Sequence, residues 1–384
     1  MIRNFVLLTG LAALAACDMP GPQIGGGIGA QGPVKVALMV PAGSGDNQRE
    51  ELAQSIVNAA RLAQQDLTSV EVELTVYPTA GDPDQATAAA QQALSEGAEV
   101  ILGPLFSTSA TAVAPVASAR GVQVLSFSNN TQIAGDNLYV LGNTFDNTAR
   151  RIVGYAAAQG VTDLAIVRPE GPEGELAGQA IANAAAAVGS QIVSVSAYPL
   201  SVQGITDTIP DAAKAVRGSG AMAVVLTDGP TGGLTFVAET LRGLGVRKEA
   251  VRFIGLQRWD TSPQAMAQPG LDAGWFAASD PLLAQQFRNR YEANYGALPH
   301  PLASLGYDGV AAIGALVAEA RAEGRNDAFT PARITKPAGF AGVGGIFRLL
   351  PDGRNERALA IVEVIEGTAQ AIDPAPRSFV TPGS

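Results

Sequence analysis

Residues Val34–Val40 (VKVALMV) are an apolar run broken only by Lys35, which predicts a buried strand. Leu52, Ile56, Ala59, Ala60, Ala63 and Leu67 follow at helical spacing. The pattern then repeats. Val72, Leu74 and Val76 share one face of a predicted strand over 71–77. An Ala-rich helix over 85–96 closes at Gly97, and a strand over 99–102 ends in Gly103-Pro104. A helix over 108–119, a strand over 122–127 and a strand over 138–142 complete a first unit. A second unit starts afresh, with helices predicted over 148–159, 175–188, 207–217 and 232–244. Strands over 164–168, 191–198, 221–227 and 251–255 alternate with them. Such alternation specifies two parallel sheets covered by helices, an α/β architecture, with a hinge near 143–147.

After about residue 276 the period changes. Helices over 282–295 and 304–323 precede a Gly-rich segment at 339–345. Strands over 345–350 and 357–365 flank the turn Pro351-Asp352-Gly353, and so short a connection makes them antiparallel. The tail from Asp373 is Pro-rich and is expected to be loose.

Composition removes several functions. The 384 residues carry a net charge of −10, which disfavours nucleic acid and anionic membrane surfaces as partners. One Cys and one His cannot build a zinc site or an internal disulfide, so no metal and no cofactor is expected. A nucleophile–His mechanism would have to run through His300, which reads as a solvated residue of the loop Leu298-Pro299-His300-Pro301. Neither Ser-x-x-Lys nor G-x-S-x-G occurs. The carboxylates Asp82 and Asp84 sit in a turn before a helix and read as capping groups. The chain is therefore read as a binding protein and not an enzyme.

The N-terminus has its own pattern. Met1 to Asn4 is a short positive segment, residues 5–13 are apolar, and Leu14-Ala15-Ala16-Cys17 follows. This resembles a bacterial lipobox, which implies acylation of Cys17 and anchoring at the periplasmic face of a membrane, inner or outer. Residues 18–33 (DMPGPQIGGGIGAQGP) read as a tether reaching on the order of 20 Å.

In an open parallel sheet, ligands collect beyond the carboxyl ends of the strands. Those ends carry Ser44, Ser107, Thr108, Ser126, Ser128, Asn129 and Thr231. Small hydroxyls at helix starts suit either a carboxylate ligand or ordinary capping. Asp228 is a candidate partner for an ammonium group, and Trp259 a candidate cover for an apolar part of a ligand, with structural packing or solvent exposure the other reading of each.

Several segments resemble the type I periplasmic binding proteins of the leucine/isoleucine/valine-binding kind. They are Val34–Pro41, Gly97-Ala98-Glu99-Val100-Ile101-Leu102-Gly103-Pro104 and Ser304-Leu305-Gly306-Tyr307-Asp308-Gly309-Val310. Gly103-Pro104-Leu105-Phe106-Ser107, Phe127-Ser128-Asn129, Gly274-Trp275-Phe276-Ala277-Ala278 and Gly339-Phe340-Ala341-Gly342 more closely resemble alphaproteobacterial penicillin-binding-protein activator lipoproteins. The resemblance implies two Rossmann-like lobes joined by a three-crossover hinge. Lobe 1 would comprise 33–143 plus 278–332, lobe 2 144–277 plus 333–373, with 374–384 a loose tail. Residues placed like Ser107, Thr108, Ser126 and Ser128 would hold an amino-acid ligand in lobe 1. Lobe 2 departs from the family pattern: Pro172-Glu173 replaces an aromatic, and the family's acid that helps hold the ammonium has no clear counterpart around Gln257-Arg258-Trp259. Two functions are implied. The first is regulation of peptidoglycan synthesis through a penicillin-binding protein. The alternative is solute capture, of an amino acid, amide or similar small ligand, for an ABC permease.

Overall fold

The computed structural model describes residues 32–379. The lipobox with Cys17, nearly all of the tether and residues 380–384 lie outside the described residues. The first sheet contains β1 (Val34–Val40), β2 (Val72–Pro78), β3 (Val100–Leu102), β4 (Gln123–Ser126) and β5 (Leu138–Val140). They lie in the order β2-β1-β3-β4-β5, all parallel. Helices α1 (Asn47–Asp66), α2 (Pro83–Ser95) and α3 (Ser107–Ser118) connect them. Both faces of the sheet are covered, which is why β1 can be apolar along nearly its whole length. Asp46 caps α1 by accepting from the Arg49 N–H. Asp82 caps α2 by accepting from the Asp84 and Gln85 N–H groups, and Asp84 stands in the helix's first turn.

The second lobe runs through α4 (Phe145–Ala158), β6 (Asp163–Pro169), α5 (Pro172–Val188), β7 (Gln191–Tyr198), α6 (Val202–Gly218) and β8 (Ala223–Leu226). It continues through α7 (Leu234–Gly243), β9 (Arg252–Gly255), α8 (Pro263–Met266) and β10 (Trp275–Ala278). The chain then returns to the first lobe as α9 (Pro281–Tyr295) and α10 (Ser304–Ala322). Helix α10 lies directly on α1, and glycines permit it: a Cβ on Gly306 would stand 2.5 Å from the Ile56 carbonyl oxygen, and one on Gly309 2.3 Å from Leu102.

A short helix α11 (Pro331–Ile334) leads into a small antiparallel sheet of β11 (Phe340–Gly342), β12 (Gly345–Leu349) and β13 (Asn355–Arg357). Strands β14 (Ala360–Ile365) and β15 (Thr368–Asp373) then complete the second sheet, ordered β15-β14-β10-β9-β8-β6-β7. The connections between lobes fall at 141–144, 279–280 and 358–359, so the α/β architecture is the type I periplasmic-binding fold with three crossovers.

Three expectations change. The second sheet is mixed, because β14 runs antiparallel to β10 and β15 antiparallel to β14. The segment 333–373 does not belong to one lobe. Ile334, Phe340, Phe347 and Leu349 are buried in the first lobe's core, whereas Val362 and Val364 are buried in the second's. The expected strand over 357–365 is accordingly split where the chain crosses. The tail is docked through Phe379: Ala375 is buried, Asp373 pairs with Arg151 at 2.5 Å, and the Arg348 guanidinium lies 4.9 Å from the Phe379 ring.

Candidate functional site: the cleft between the lobes

The carboxyl ends of β8, β9 and β10 face the start of α10 across a cavity of about 290 Å³. The hinge forms its floor through Asn143, Thr144, Arg357 and Leu359. The second lobe contributes Glu173, Thr231, Gln257, Arg258 and Thr261. The first lobe contributes Asn129, Leu302, Ser304 and Leu305. Polar and apolar groups share this wall, the mixture that orients a small solute while desolvating it. A second chamber of about 540 Å³ adjoins it and shares Arg258, Thr261, Ser279, Pro301 and Ser304.

Strand β13 holds the floor. Asn355 donates to the carbonyls of Val140 (2.6 Å) and Gly142 (2.8 Å) and accepts from Asn147 on α4. Glu356 bridges the lobes, with Arg150 of α4 at 2.7 Å and Arg348 of β12 at 2.5 Å. Arg357 donates to the Leu141 carbonyl (2.7 Å) and pairs with Asp308 at 2.9 Å. Asp308 is 1% exposed and also accepts from the Val343 N–H. A buried carboxylate so placed requires its guanidinium partner. On the second lobe's wall, Arg258 and Asp260 form a two-bond pair at 2.9 and 2.7 Å. Burial works against the Arg258 charge, but the Asp260 bonds outweigh it and raise the guanidinium pKa.

The residues singled out by type behave differently from one another. Asn129 lines the cavity, as does Thr231. Ser107, Thr108, Ser126 and Ser128 sit together at the carboxyl ends of β3 and β4, away from that lining. Ser126 donates to the Pro104 carbonyl at 2.8 Å and accepts from the Ser128 N–H, and the Ser128 hydroxyl accepts from the Asn130 N–H. Ser44 lies in a loop whose three N–H groups, of Gly43, Ser44 and Gly45, all point at the Glu50 carboxylate. The chain's own acid thus fills that anion nest.

Asp228 and Trp259 require correction. The Asp228 carboxylate accepts from Gly229 N–H (2.8 Å), Gly233 N–H (2.5 Å) and the Tyr198 hydroxyl (3.0 Å). It anchors the start of α7. Burial, with Asp228 beside it, pushes the Tyr198 hydroxyl pKa well up. Trp259 is 0% exposed and fills space left by Gly255 and Gly274, with the Phe276 ring 5.6 Å away. It is core and not a cover over the cleft. His300 is also more than a solvated loop residue: its Nδ1 accepts from the Leu302 N–H, and its own N–H donates to Ser55.

Sequence reasoning placed Glu173, Gln257 and Arg258 in strand-end segments without choosing them as ligand contacts. It passed over the hinge residues and the start of α10. Hinge contacts join residues some 200 positions apart, and no local spacing signals them. Among the described residues, no group of three His, Cys, Asp or Glu side chains converges as metal ligands, and no helix is long and apolar enough to cross a membrane.

A family model described as periplasmic binding protein matches residues 33–369. No curated protein matches the chain. Among solved structures, a putative branched-chain amino acid ABC transporter protein from Rhodospirillum rubrum superposes with a TM-score of 0.76 at 20% identity, covering 88% of this chain and 100% of that one. A leucine-binding protein from Thermotoga maritima gives a TM-score of 0.60 at 18% identity, covering 89% and 98%. A solute-binding protein of an ABC transporter from Rhodopseudomonas palustris, solved with 3,4-dihydroxybenzoic acid, gives 0.62 at 19% identity, covering 91% and 99%. At these identities the likeness is one of fold. The match along most of the sequence, with the two-lobed cleft, makes this chain a member of the periplasmic binding protein family.

Proposed function

We propose that the protein captures a small solute in the inter-lobe cleft and delivers it to an ABC permease. The observation that carries this reading is the cavity of about 290 Å³ walled by both lobes and floored by the hinge. A solute touching both walls favours the closed arrangement and is stabilised by it. The similar structures include proteins of ABC transporters solved with small ligands, which supports the same reading. Control of a penicillin-binding protein, the leading expectation from the sequence, rests on resemblance of short segments, and no contact in the cleft favours it. Acylation at Cys17 would keep the protein at the periplasmic face of its membrane.

Solute capture predicts a saturable rise in Tm, since binding to the folded state alone adds about 2.7 kcal/mol at a hundred times Kd. The test is a thermal-shift screen of amino acids, amides, aromatic acids and peptidoglycan fragments. Mass spectrometry of small molecules released from the freshly purified protein accompanies it. A concentration-dependent shift with one chemical class is the expected outcome. No shift, together with no released solute, would sink the reading.

A further inference from the structure

The second sheet ends in an open edge. Strand β7 is the last in its order, and among the described residues it pairs with β6 alone. The Tyr198 carbonyl accepts from the Glu170 N–H on the β6 side, so alternation along the strand turns the N–H and C=O groups of Val195 and Ala197 outward. Such groups are a template for another strand, and proteins ordinarily blunt them with charge, proline or brevity. Strand β2 carries Glu73 and ends at Pro78, β5 is three residues long, and β15 ends in Asp373. Strand β7 has eight residues and none of these devices. Its one irregularity lies between Ile192 and Ser194 and leaves 194–198 regular. Residues 176–206 contain no Asp, Glu, Lys, Arg or His, and no other stretch of the described residues runs so far without a charge. Exposed apolar side chains gather there instead: Leu176 and Val188 on α5, Val195 on β7 at 57% exposure, and Leu200 and Val202 just after it.

From this edge we infer that the chain docks a second copy of itself, the two β7 strands pairing antiparallel about a two-fold axis at Val195. A chain of net charge −10 repels its own copy, so self-contact is favoured where charge is missing. A two-fold axis sets a surface against itself, and an uncharged strand matches its own copy where a strand bearing charges of one sign does not. With the axis at Val195, the two Val195 residues exchange both backbone bonds, Ser194 faces Ser196, and the Val195 side chains meet on one face. The two seven-stranded sheets then become one. No β7 residue lines the cavity between the lobes, so the pairing leaves that cavity open and is independent of what it holds.

The experiment is light scattering coupled to size exclusion on the full chain, loaded over about 1–100 µM. A concentration-dependent dimer is expected. Val195→Lys sets two ammonium groups across the axis and is expected to weaken association at least about ten-fold, with Tm unchanged because the side chain is exposed. Val195→Cys provides a second measurement that does not rely on the charged variant folding. Paired residues of this kind have Cα atoms about 5.5 Å apart, within disulfide range, so mild oxidation should yield a crosslinked dimer on a non-reducing gel. The wild type, with Cys17 its only cysteine, is the control and should yield none. A monomer at every concentration, a dimer that Val195→Lys leaves intact, or a Val195→Cys chain that does not crosslink to its own copy overturns the inference. A Val195→Cys product joined to a different envelope protein gives the edge to another partner and overturns it as well.

Discussion

The two lobes end their strands in loops of similar composition but differ in which of those polar groups they leave facing the cavity. In the first lobe, the loop after β1 wraps its N–H groups around Glu50, and Ser126 and Ser128 bond within their own turn and to Pro104. Those side chains hold the backbone in shape. In the second lobe, Glu173 and Thr231 stand open at the cavity, and Gln257 uses its amide N–H₂ on the Thr227 carbonyl while facing the same space. Hydroxyl content alone favours the first wall, whereas unspent hydrogen-bonding capacity favours the second. A residue type found at a strand end is thus a weak guide to binding until its partners are counted.

The hinge sharpens this contrast most strongly, because there the charged side chains are committed to one another. Replacing Arg357 with Leu strands the buried Asp308 carboxylate, and breaking such a pair costs about 3–5 kcal/mol. Urea unfolding of Arg357→Leu should show a loss of that order. The double change Arg357→Leu with Asp308→Leu should recover part of it, since no charge is then left unpaired. A single variant as stable as the wild type would show that the hinge pair is dispensable.

Trp259 tests the second wall directly. As a cover over the ligand it would control affinity; as core it controls stability. Filling the gap beside Gly255 and Gly274, it should cost about 2 kcal/mol when cut back to Phe, and solute affinity should stay within about two-fold. A large loss of affinity at unchanged stability would reverse the assignment. On the first wall, Ser126→Ala should cost about 1 kcal/mol through the lost bond to Pro104, again with affinity unaltered. Affinity that fell with Ser126→Ala would return the first wall to the binding site.

Much of the fold is legible in the sequence, and the site much less so. The apolar run of β1 and the periodicity of α1 mark elements whose burial is decided locally. Strand β10 escaped because Trp275-Phe276-Ala277-Ala278 is too short to show a period, and its place beside β9 is a tertiary fact. Strand β13 and the crossing at 358–359 escaped because the chain keeps a strand-like pattern while changing lobes. For Asp228 and Trp259 the sequence left ligand contact and packing both open, because it does not display the glycines and N–H groups that surround them. The tail from Asp373 looked loose by composition, yet Arg151 and Arg348, more than 200 and about 30 positions away respectively, hold it.

The smallest effect concerns the approach to α10, where His300 joins the first lobe's rim. Burial lowers the His300 pKa from its usual 6.5, with Glu51 pulling weakly the other way. The neutral ring is the form the fold uses, because its Nδ1 accepts from the Leu302 N–H. Between the lowered folded value and 6.5 the unfolded chain binds more protons than the folded one. This contribution is therefore complete above about pH 6.5 and is lost as pH falls through the folded pKa. Glu99 responds with the opposite sign, since burial raises its carboxyl pKa, so the comparison must be between paired variants. In His300→Asn the amide oxygen can still accept from Leu302 but nothing titrates. Urea midpoints of the wild type and His300→Asn should run parallel above about pH 7 and diverge below about pH 6, with the wild type losing more. Curves that stay parallel down to about pH 5 would mean that the ring is protonated without consequence, and that the start of α10 is held by the Ser55 bond alone.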